Sequence, residues 1–190
     1  PLIIAELEQS KERLDQQLEN LSRLREVFGE LGEPIPEPEL NHLLVESVRV
    51  IITVTNRSSF DTVISAEVLP DFANAALIEQ LRTWLKGVSA LERLTRDDLA
   101  FRDNVMLPYY NASLSSAAMF TAYQNEYLGD YQLAPSQFDL NNFERLKSDA
   151  ELENIIASKQ TTLILQIGRI DYLIKNTQDI VRAIEVTTAS

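Results

Sequence analysis

Cysteine is absent from this 190-residue chain, and histidine occurs once, at His42. Without cysteine the chain has no disulfides, iron–sulfur clusters, thiolate zinc sites or cysteine nucleophiles. One histidine cannot supply the two Glu-x-x-His motifs of a carboxylate-bridged di-iron bundle, nor the two histidines of a His-Glu-x-x-His zinc site. We interpret His42 as a surface or partly buried polar residue rather than a ligand or a proton carrier.

Other catalytic motifs are missing as well. The sequence contains no glycine-rich phosphate loop, no Walker motif and no Gly-x-Ser-x-Gly nucleophile elbow, and its acidic residues do not follow EF-hand spacing. Adjacent acids such as Asp97 and Asp98 do not face one another on a helix, so they give no support to paired-carboxylate catalysis. The sequence therefore predicts no enzymatic activity, no bound cofactor and no metal site.

Basic residues are few compared with acidic ones. The chain has 17 Lys and Arg against 29 Asp and Glu, which gives a formal net charge of −12. Binding to nucleic acid needs a basic surface that displaces counterions from the phosphates. Docking on anionic lipid needs a basic surface as well. We therefore predict that the chain does not bind nucleic acid.

Glycine and proline, with five and seven residues, leave few places where the chain can turn. Strand proteins need a turn every 8–12 residues or so, and long uninterrupted elements favour helices instead. The prediction is an all-α fold forming a single domain over residues 1–190. We expect an elongated helical bundle, with long antiparallel N- and C-terminal helices and shorter helices between them.

The two clearest helical patterns lie at the ends of the chain. A first helix is predicted over 2–32, where apolar residues recur every seven positions at Leu7, Leu14, Leu21 and Phe28. A last helix is predicted over 149–186 from the apolar residues Leu152, Ile156, Leu163, Ile167, Ile170, Ile174, Val181 and Ile184. The two helices are similar in length, so they can pack against each other with a shallow crossing angle.

Shorter helices are predicted between these two. A second helix is predicted over 38–55, although its end, 48–55, is rich in β-branched residues and taken alone is compatible with a strand. Pro108 is expected to kink or end the longest of the middle helices. The remaining predictions are helices over 59–69, 74–110, 115–128 and 141–147, with a loop over 129–140.

Aromatic residues are concentrated in one part of the chain. Seven of the fourteen fall within 101–131, with arginines nearby. One interpretation is a ligand pocket between helices, in which tyrosine hydroxyls and an arginine orient a small anion. The other, which we favour, is the thick end of the hydrophobic core. The candidate pocket residues are Arg102, Tyr109, Tyr110, Tyr123 and Tyr127.

Four segments carry a resemblance to a known family: 60–66, 69–71, 76–81 together with Trp84, and 102–110, which reads Arg-Asp-Asn-Val-Met-Leu-Pro-Tyr-Tyr. With these motifs the chain resembles a family of uncharacterised bacterial proteins that have one transmembrane helix near the N-terminus and a helical extracytoplasmic domain after it. The resemblance implies an inner-membrane protein whose helical domain faces the periplasm. It carries over no functional residue.

Membrane attachment would have to come from outside this sequence, because no run of 18 apolar residues occurs in it. The chain begins with Pro1 rather than Met, and we expect a transmembrane helix immediately upstream of Leu2. The function predicted first is a non-catalytic extracytoplasmic interaction or sensor-like domain, which meets a protein partner or a second copy through its helices. Two alternatives stay open: a small-ligand-binding module built on 101–131, and a cytoplasmic coiled-coil adaptor.

Overall fold

The computed structural model describes residues 2–53, 75–113, 145–147 and 149–188 of the chain. These residues are 88% helical and include no strand. Helix α1 spans Leu2–Phe28 and α2 spans Glu37–Val48. Helix α3 runs through Ala75–Phe101, Arg102–Met106 and Leu107–Ser113, and α4 spans Ala150–Thr188. The all-α prediction is confirmed, and within these ranges no helix is both long and apolar enough to cross a membrane.

The predictions for 59–69, 115–128 and the loop 129–140 lie outside the described residues, as does most of the helix predicted over 141–147. The chain divides into two compact units, each assembled from separated segments. Unit 1 comprises Pro1–Leu14, Ile51–Arg96 and Leu165–Ser190, and unit 2 comprises Asp15–Val50 and Asp97–Ile164. The prediction of one domain over 1–190 stays a prediction.

Within unit 1, the first half of α3 packs against the second half of α4. Trp84 is fully buried, and its indole Nε1 donates to Thr177 Oγ1 at 2.9 Å. Gly87 allows a close approach, because a Cβ at this position would lie 2.8 Å from Leu173 Cδ2. The N-terminal part of α1 joins α4 through Lys11 Nζ, which donates to Asp171 Oδ1 at 2.7 Å.

Within unit 2, the terminal helices run antiparallel. Gln160 Nε2 donates to Ser22 Oγ at 3.0 Å, and Arg25 Nη2 donates to Glu153 Oε1 at 2.7 Å, so α1 numbers rise as α4 numbers fall. The predicted antiparallel packing of the two long terminal helices is confirmed. The core of the unit consists of buried side chains from all four helices, among them Leu21, Leu24, Leu43, Leu44, Met106, Tyr110, Leu152, Ile156 and Leu163.

The helix predicted over 38–55 is wrong over 49–53, and residues 54 and 55 lie outside the described residues. Arg49 is extended, with φ −64° and ψ 142°, and 49–53 are neither helical nor in a strand. The reason lies outside the segment, where Gln17 Nε2 donates to the carbonyls of Glu46 and Arg49, each at 2.7 Å. A helix ends more readily where side chains satisfy its last carbonyls.

Pro108 does not end α3, which continues to Ser113. Proline lacks an N–H and its ring clashes with the carbonyl four residues earlier, which in a regular α-helix would be that of Asn104. The turn before it, Arg102–Met106, is a π-helix, and the Leu107 N–H bonds the Arg102 carbonyl five residues back. This wider turn relieves the clash, so the helix passes through the proline.

Candidate functional site: polar residues in the helical core

Helix α4 buries a regular heptad stripe that differs from the predicted one. Ile167, Ile174 and Val181 are only half-buried, and Ile184 is 44% exposed. The stripe instead alternates in steps of three and four, and it holds both apolar and polar side chains. Its buried members are Leu152, Ile156, Lys159, Leu163, Gln166, Ile170, Leu173, Thr177 and Ile180.

Lys159 is the first polar residue of this stripe, and it pairs with Asp98. Both side chains are fully buried. The Lys159 ammonium donates to Asp98 Oδ1 at 2.6 Å and Oδ2 at 2.7 Å, and to the Arg49 carbonyl at 2.9 Å. An ammonium group has three N–H donors, so these three acceptors use all of them. The Lys159–Asp98 pair thus joins α4, α3 and the end of α2 in one hydrogen-bonded cluster.

The charge of Lys159 is disfavoured by its surroundings. Burial lowers the pKa of Lys159 below its usual value, the Arg102 charge lowers it further, and Asp98 opposes both. Glu46, also buried, pairs with Arg49 Nη1 at 3.0 Å. A buried ion pair of this kind is weak evidence for added stability, because desolvation offsets most of the attraction.

Gln17 completes the cluster from α1. Its Nε2 donates to the carbonyls of Glu46 and Arg49 at the end of α2. Its Oε1 has no hydrogen-bond partner among the described residues. Gln166, in unit 1, is 1% exposed, and neither of its amide atoms has a hydrogen-bond partner among the described residues.

The candidate aromatic residues Tyr109 and Tyr110 lie together, with ring centroids 6.0 Å apart. Ser47 Oγ donates to the Leu44 carbonyl at 2.6 Å, and its second contact is Tyr110 Oη at 2.9 Å. Ser47 has one proton and a carbonyl only accepts, so Tyr110 is the donor to Ser47. Burial raises the pKa of Tyr110 to about 12.

Tyr109 donates to Asp149 Oδ2 at 2.9 Å, at the start of α4. The other oxygen of Asp149 accepts the amides of Glu151 at 2.8 Å and Leu152 at 3.2 Å, which makes this residue the N-cap. Burial opposes ionisation of Asp149, but the hydrogen bonds from Tyr109 and the two amides outweigh it and lower its pKa. Burial, followed by the bond to Asp149, raises the pKa of Tyr109.

The remaining members of the predicted ligand pocket are placed differently. Arg102 pairs with its neighbour Asp103 at 2.7 Å, and its side chain is 30% exposed. Tyr123 and Tyr127 lie outside the described residues. A recess of about 310 Å³ lies between α3 and α4. The described residues that line it are Phe101, Ala150, Glu151, Asn154, Ile155 and Ser158, and neither Tyr109 nor Tyr110 is among them.

Metal ligation has no candidate in the part of the chain that the structure describes, where no three His, Asp or Glu residues converge. His42 is exposed on α2, as the sequence led us to expect. The described residues of the polar core form hydrogen bonds and an ion pair between helices.

Sequence reasoning from apolar residues alone missed Lys159, Asp98, Gln17 and Gln166. The signal was present, because Lys159 lies seven residues after Leu152 and Asp98 lies seven after Leu91, which are both core positions. Compared with protein-family models, with curated proteins and with solved structures, the chain matches none of them significantly.

Proposed function

We propose that this chain is a non-catalytic, extracytoplasmic interaction or sensor-like domain of a membrane-anchored bacterial protein. The main support for the non-catalytic part is the use made of its buried reactive groups. Lys159 bonds Asp98, Tyr110 bonds Ser47, and Tyr109 bonds Asp149. A catalytic centre needs such groups directed at a substrate, whereas here they hold helices together.

The first turn of α1 supports anchoring. It reads Leu-Ile-Ile-Ala over residues 2–5, and the Leu2 side chain is 72% exposed. An apolar first turn with an exposed Leu2 is suited to continue a helix that leaves a bilayer. The helix then becomes acidic from Glu6, without the cluster of basic residues that holds a juxtamembrane segment in the cytoplasm. The family resemblance points to the same arrangement.

Cell fractionation tests this proposal. The gene that encodes this chain is expressed in full, and the protein is expected in the inner-membrane fraction. Protease added to spheroplasts is expected to degrade the domain while a cytoplasmic marker protein survives as the control. Recovery in the soluble cytoplasmic fraction, or protection of the domain from the protease, would show that the anchored periplasmic assignment is wrong.

A cytoplasmic coiled-coil adaptor is the second candidate, and the heptad stripe of α4 favours it. Nine stripe positions from Leu152 to Ile180 are buried in steps of three and four, which is the pattern of coiled-coil packing. An adaptor would meet a protein partner or a second copy through its helices and would stay soluble in the fractionation experiment. The small-ligand alternative has less support, because the hydroxyls of Tyr109 and Tyr110 are engaged within the protein.

A further inference from the structure

Lys159 and Asp98 occupy core positions where apolar side chains would stabilise the fold at least as well. Both have side chains that are 0% exposed. Replacing a buried ion pair by well-packed apolar residues is often neutral or stabilising, because the charges must be stripped of water. Removing one partner is severe, because the other charge is then buried alone. Stability therefore does not account for the pair, and its geometry has to be considered.

The geometry of the Lys159–Asp98 pair depends on axial position. The ammonium reaches two oxygens on α3 and the Arg49 carbonyl beyond the end of α2, all within 2.9 Å. A shift of α4 by one helical turn moves a side chain by about 5.4 Å. Such a shift would break all three hydrogen bonds at once and leave two buried charges unpaired. An apolar core position would tolerate the same shift much better, since contacts between apolar side chains are not directional.

We propose that the Lys159–Asp98 pair is a register latch. When the pair is formed, α4 has one axial alignment against α3 and the end of α2. When the pair is broken, α4 can shift along its axis while unit 2 stays folded. Gln17 holds the carbonyls of Glu46 and Arg49 from the side of α1, so the end of α2 is fixed by two helices. The latch deepens the proposed function and rests on it for its purpose, because a domain that transmits helix movement needs a defined resting register.

The test replaces both charges by apolar groups of similar size, in the double variant Lys159→Met/Asp98→Leu. The chain has no cysteine, so Asn111→Cys and Thr161→Cys supply the only two sites for spin labels. Both positions are exposed, one on α3 and one on α4. Pulsed electron resonance is expected to give one narrow distance with the native pair. In the double variant we expect a broadened distribution or a second distance, displaced by up to about 5 Å, with helix content retained.

Two further variants complete the design. Lys159→Met alone leaves Asp98 buried without a partner, and we expect its folding equilibrium constant to fall at least about a hundred-fold. Leu163→Met is the matched control, since it alters a neighbouring buried stripe position without charge and should leave the distance distribution narrow.

A narrow, unchanged distance in the double variant would overturn the latch, because the register would then be set by apolar packing alone. Loss of helix content in the double variant would overturn it too, since the pair would then be needed for folding rather than for register. These measurements use the domain in solution. The latch can therefore fail while membrane anchoring holds, and anchoring can fail while the latch holds.

Discussion

At the scale of single residues, Thr177 shows how one hydroxyl serves two helices. Its Oγ1 donates to the Leu173 carbonyl at 2.7 Å and accepts the indole N–H of the fully buried Trp84. The hydroxyl thus accepts a hydrogen bond from the chain's one tryptophan, which lies on a neighbouring helix. Buried polar side chains such as Thr177 and Lys159 are tolerated here because each bonds a group on a neighbouring helix.

Thr177→Val removes this hydroxyl while keeping the shape of the side chain. The 2.9 Å hydrogen bond from the Trp84 N–H is then lost, which we expect to lower the free energy of unfolding by about 0.5–1.5 kcal/mol. Urea unfolding followed by the fluorescence of Trp84 measures it. Thr161→Val is the matched control, because Thr161 is exposed and makes the same bond to the carbonyl four residues back. Equal effects of the two variants would contradict the role assigned to Trp84.

The raised pKa of Tyr110 predicts that the protein loses stability in alkaline solution. Its pKa is raised to about 12 in the folded protein, against about 10 in an unfolded chain. The neutral form is favoured by folding, so this contribution is fully present below pH 10 and is lost as the pH rises from 10 to 12. The loss is on the order of 2 kcal/mol.

Tyr110→Phe should flatten this alkaline decline. Ser47 keeps its own donor bond to the Leu44 carbonyl in the variant, so the cost at neutral pH is expected to be only about 1 kcal/mol. Unfolding midpoints measured from about pH 8 to pH 12 compare the two proteins, and titration of Lys159 is common to both. Tyr172→Phe, at a 40% exposed position, is the control. An unchanged alkaline slope in Tyr110→Phe would refute the assignment.

At the scale of elements, the start of α4 and its middle differ in the contacts that hold them. Asp149 caps its first turn and also accepts from Tyr109 on α3. Further along, Gly168 is exposed, and a Cβ there would meet no atom of the described residues within 4 Å. The start of the helix is therefore fixed by specific hydrogen bonds, while its middle contains a residue that no packing requires.

Asp149→Ala should remove both roles of the cap. We expect a loss of about 1 kcal/mol from the cap alone, and more because Tyr109 loses its acceptor. Asp149→Asn keeps an acceptor for the amides, so it should be milder. Because the pKa of Asp149 is lowered by folding, its contribution is present above its unfolded pKa and is lost as the pH falls through the folded pKa. Thermal unfolding from about pH 6 to pH 3 should therefore fall less steeply in Asp149→Asn.

Gly168→Ala should stabilise the protein by about 0.5–1 kcal/mol, because alanine restricts the unfolded chain and favours helix. Gly87→Ala is the comparison, since its Cβ would lie 2.8 Å from Leu173, which is fully buried. The gain in helix propensity should be offset there by displacement of the leucine. Denaturant midpoints of the two variants test this difference, and equal stabilisation would show that Gly87 is not needed for close packing.

The helices themselves were largely predictable from sequence, but their polar contents were not. Leu7, Leu14 and Leu21 are buried as their seven-residue spacing indicated. The end of α2 at Val48 was missed because its cause, Gln17, lies 29 positions away from Glu46. Asp98 was missed for a similar reason, since a buried carboxylate is plausible only when a partner such as Lys159 is known to face it.

For the aromatic candidates, too, the sequence indicated the residues but not their hydrogen-bond partners. The concentration of aromatic residues in 101–131 singled out Tyr109 and Tyr110, which are neighbours in the sequence, and the structure places their ring centroids 6.0 Å apart. The sequence could not show that their hydroxyls bond Asp149 and Ser47, because these partners belong to other helices and depend on the tertiary arrangement. Spacing along one helix determines which residues share a face but says nothing about what that face meets.

At the scale of the whole molecule, the dominant property is the net charge of −12. We expect no retention of the chain on double-stranded DNA, because both carry negative charge and no counterions would be released from the phosphates. Electrophoretic mobility shift at low salt, where charge effects are largest, measures this, with a basic DNA-binding domain as the positive control. Retention that weakens as salt is added would contradict the expectation.

The π segment of α3 sets the angular phase of the residues that follow it. An α-helix turns by about 100° per residue, so in a uniform helix Asp98 would stand about 120° from Tyr110 and only about 20° from Tyr109. The wide turn at Arg102–Met106 takes in about one additional residue, which brings Tyr110 close to the azimuth of Asp98. Both are fully buried, whereas Tyr109 is 9% exposed. Closing the wide turn to regular α geometry at unchanged length would therefore rotate the end of α3 by about 100° and exchange the two tyrosines between interior and boundary, whereas deleting one residue from 102–106 would close the turn and keep Tyr110 near the azimuth of Asp98.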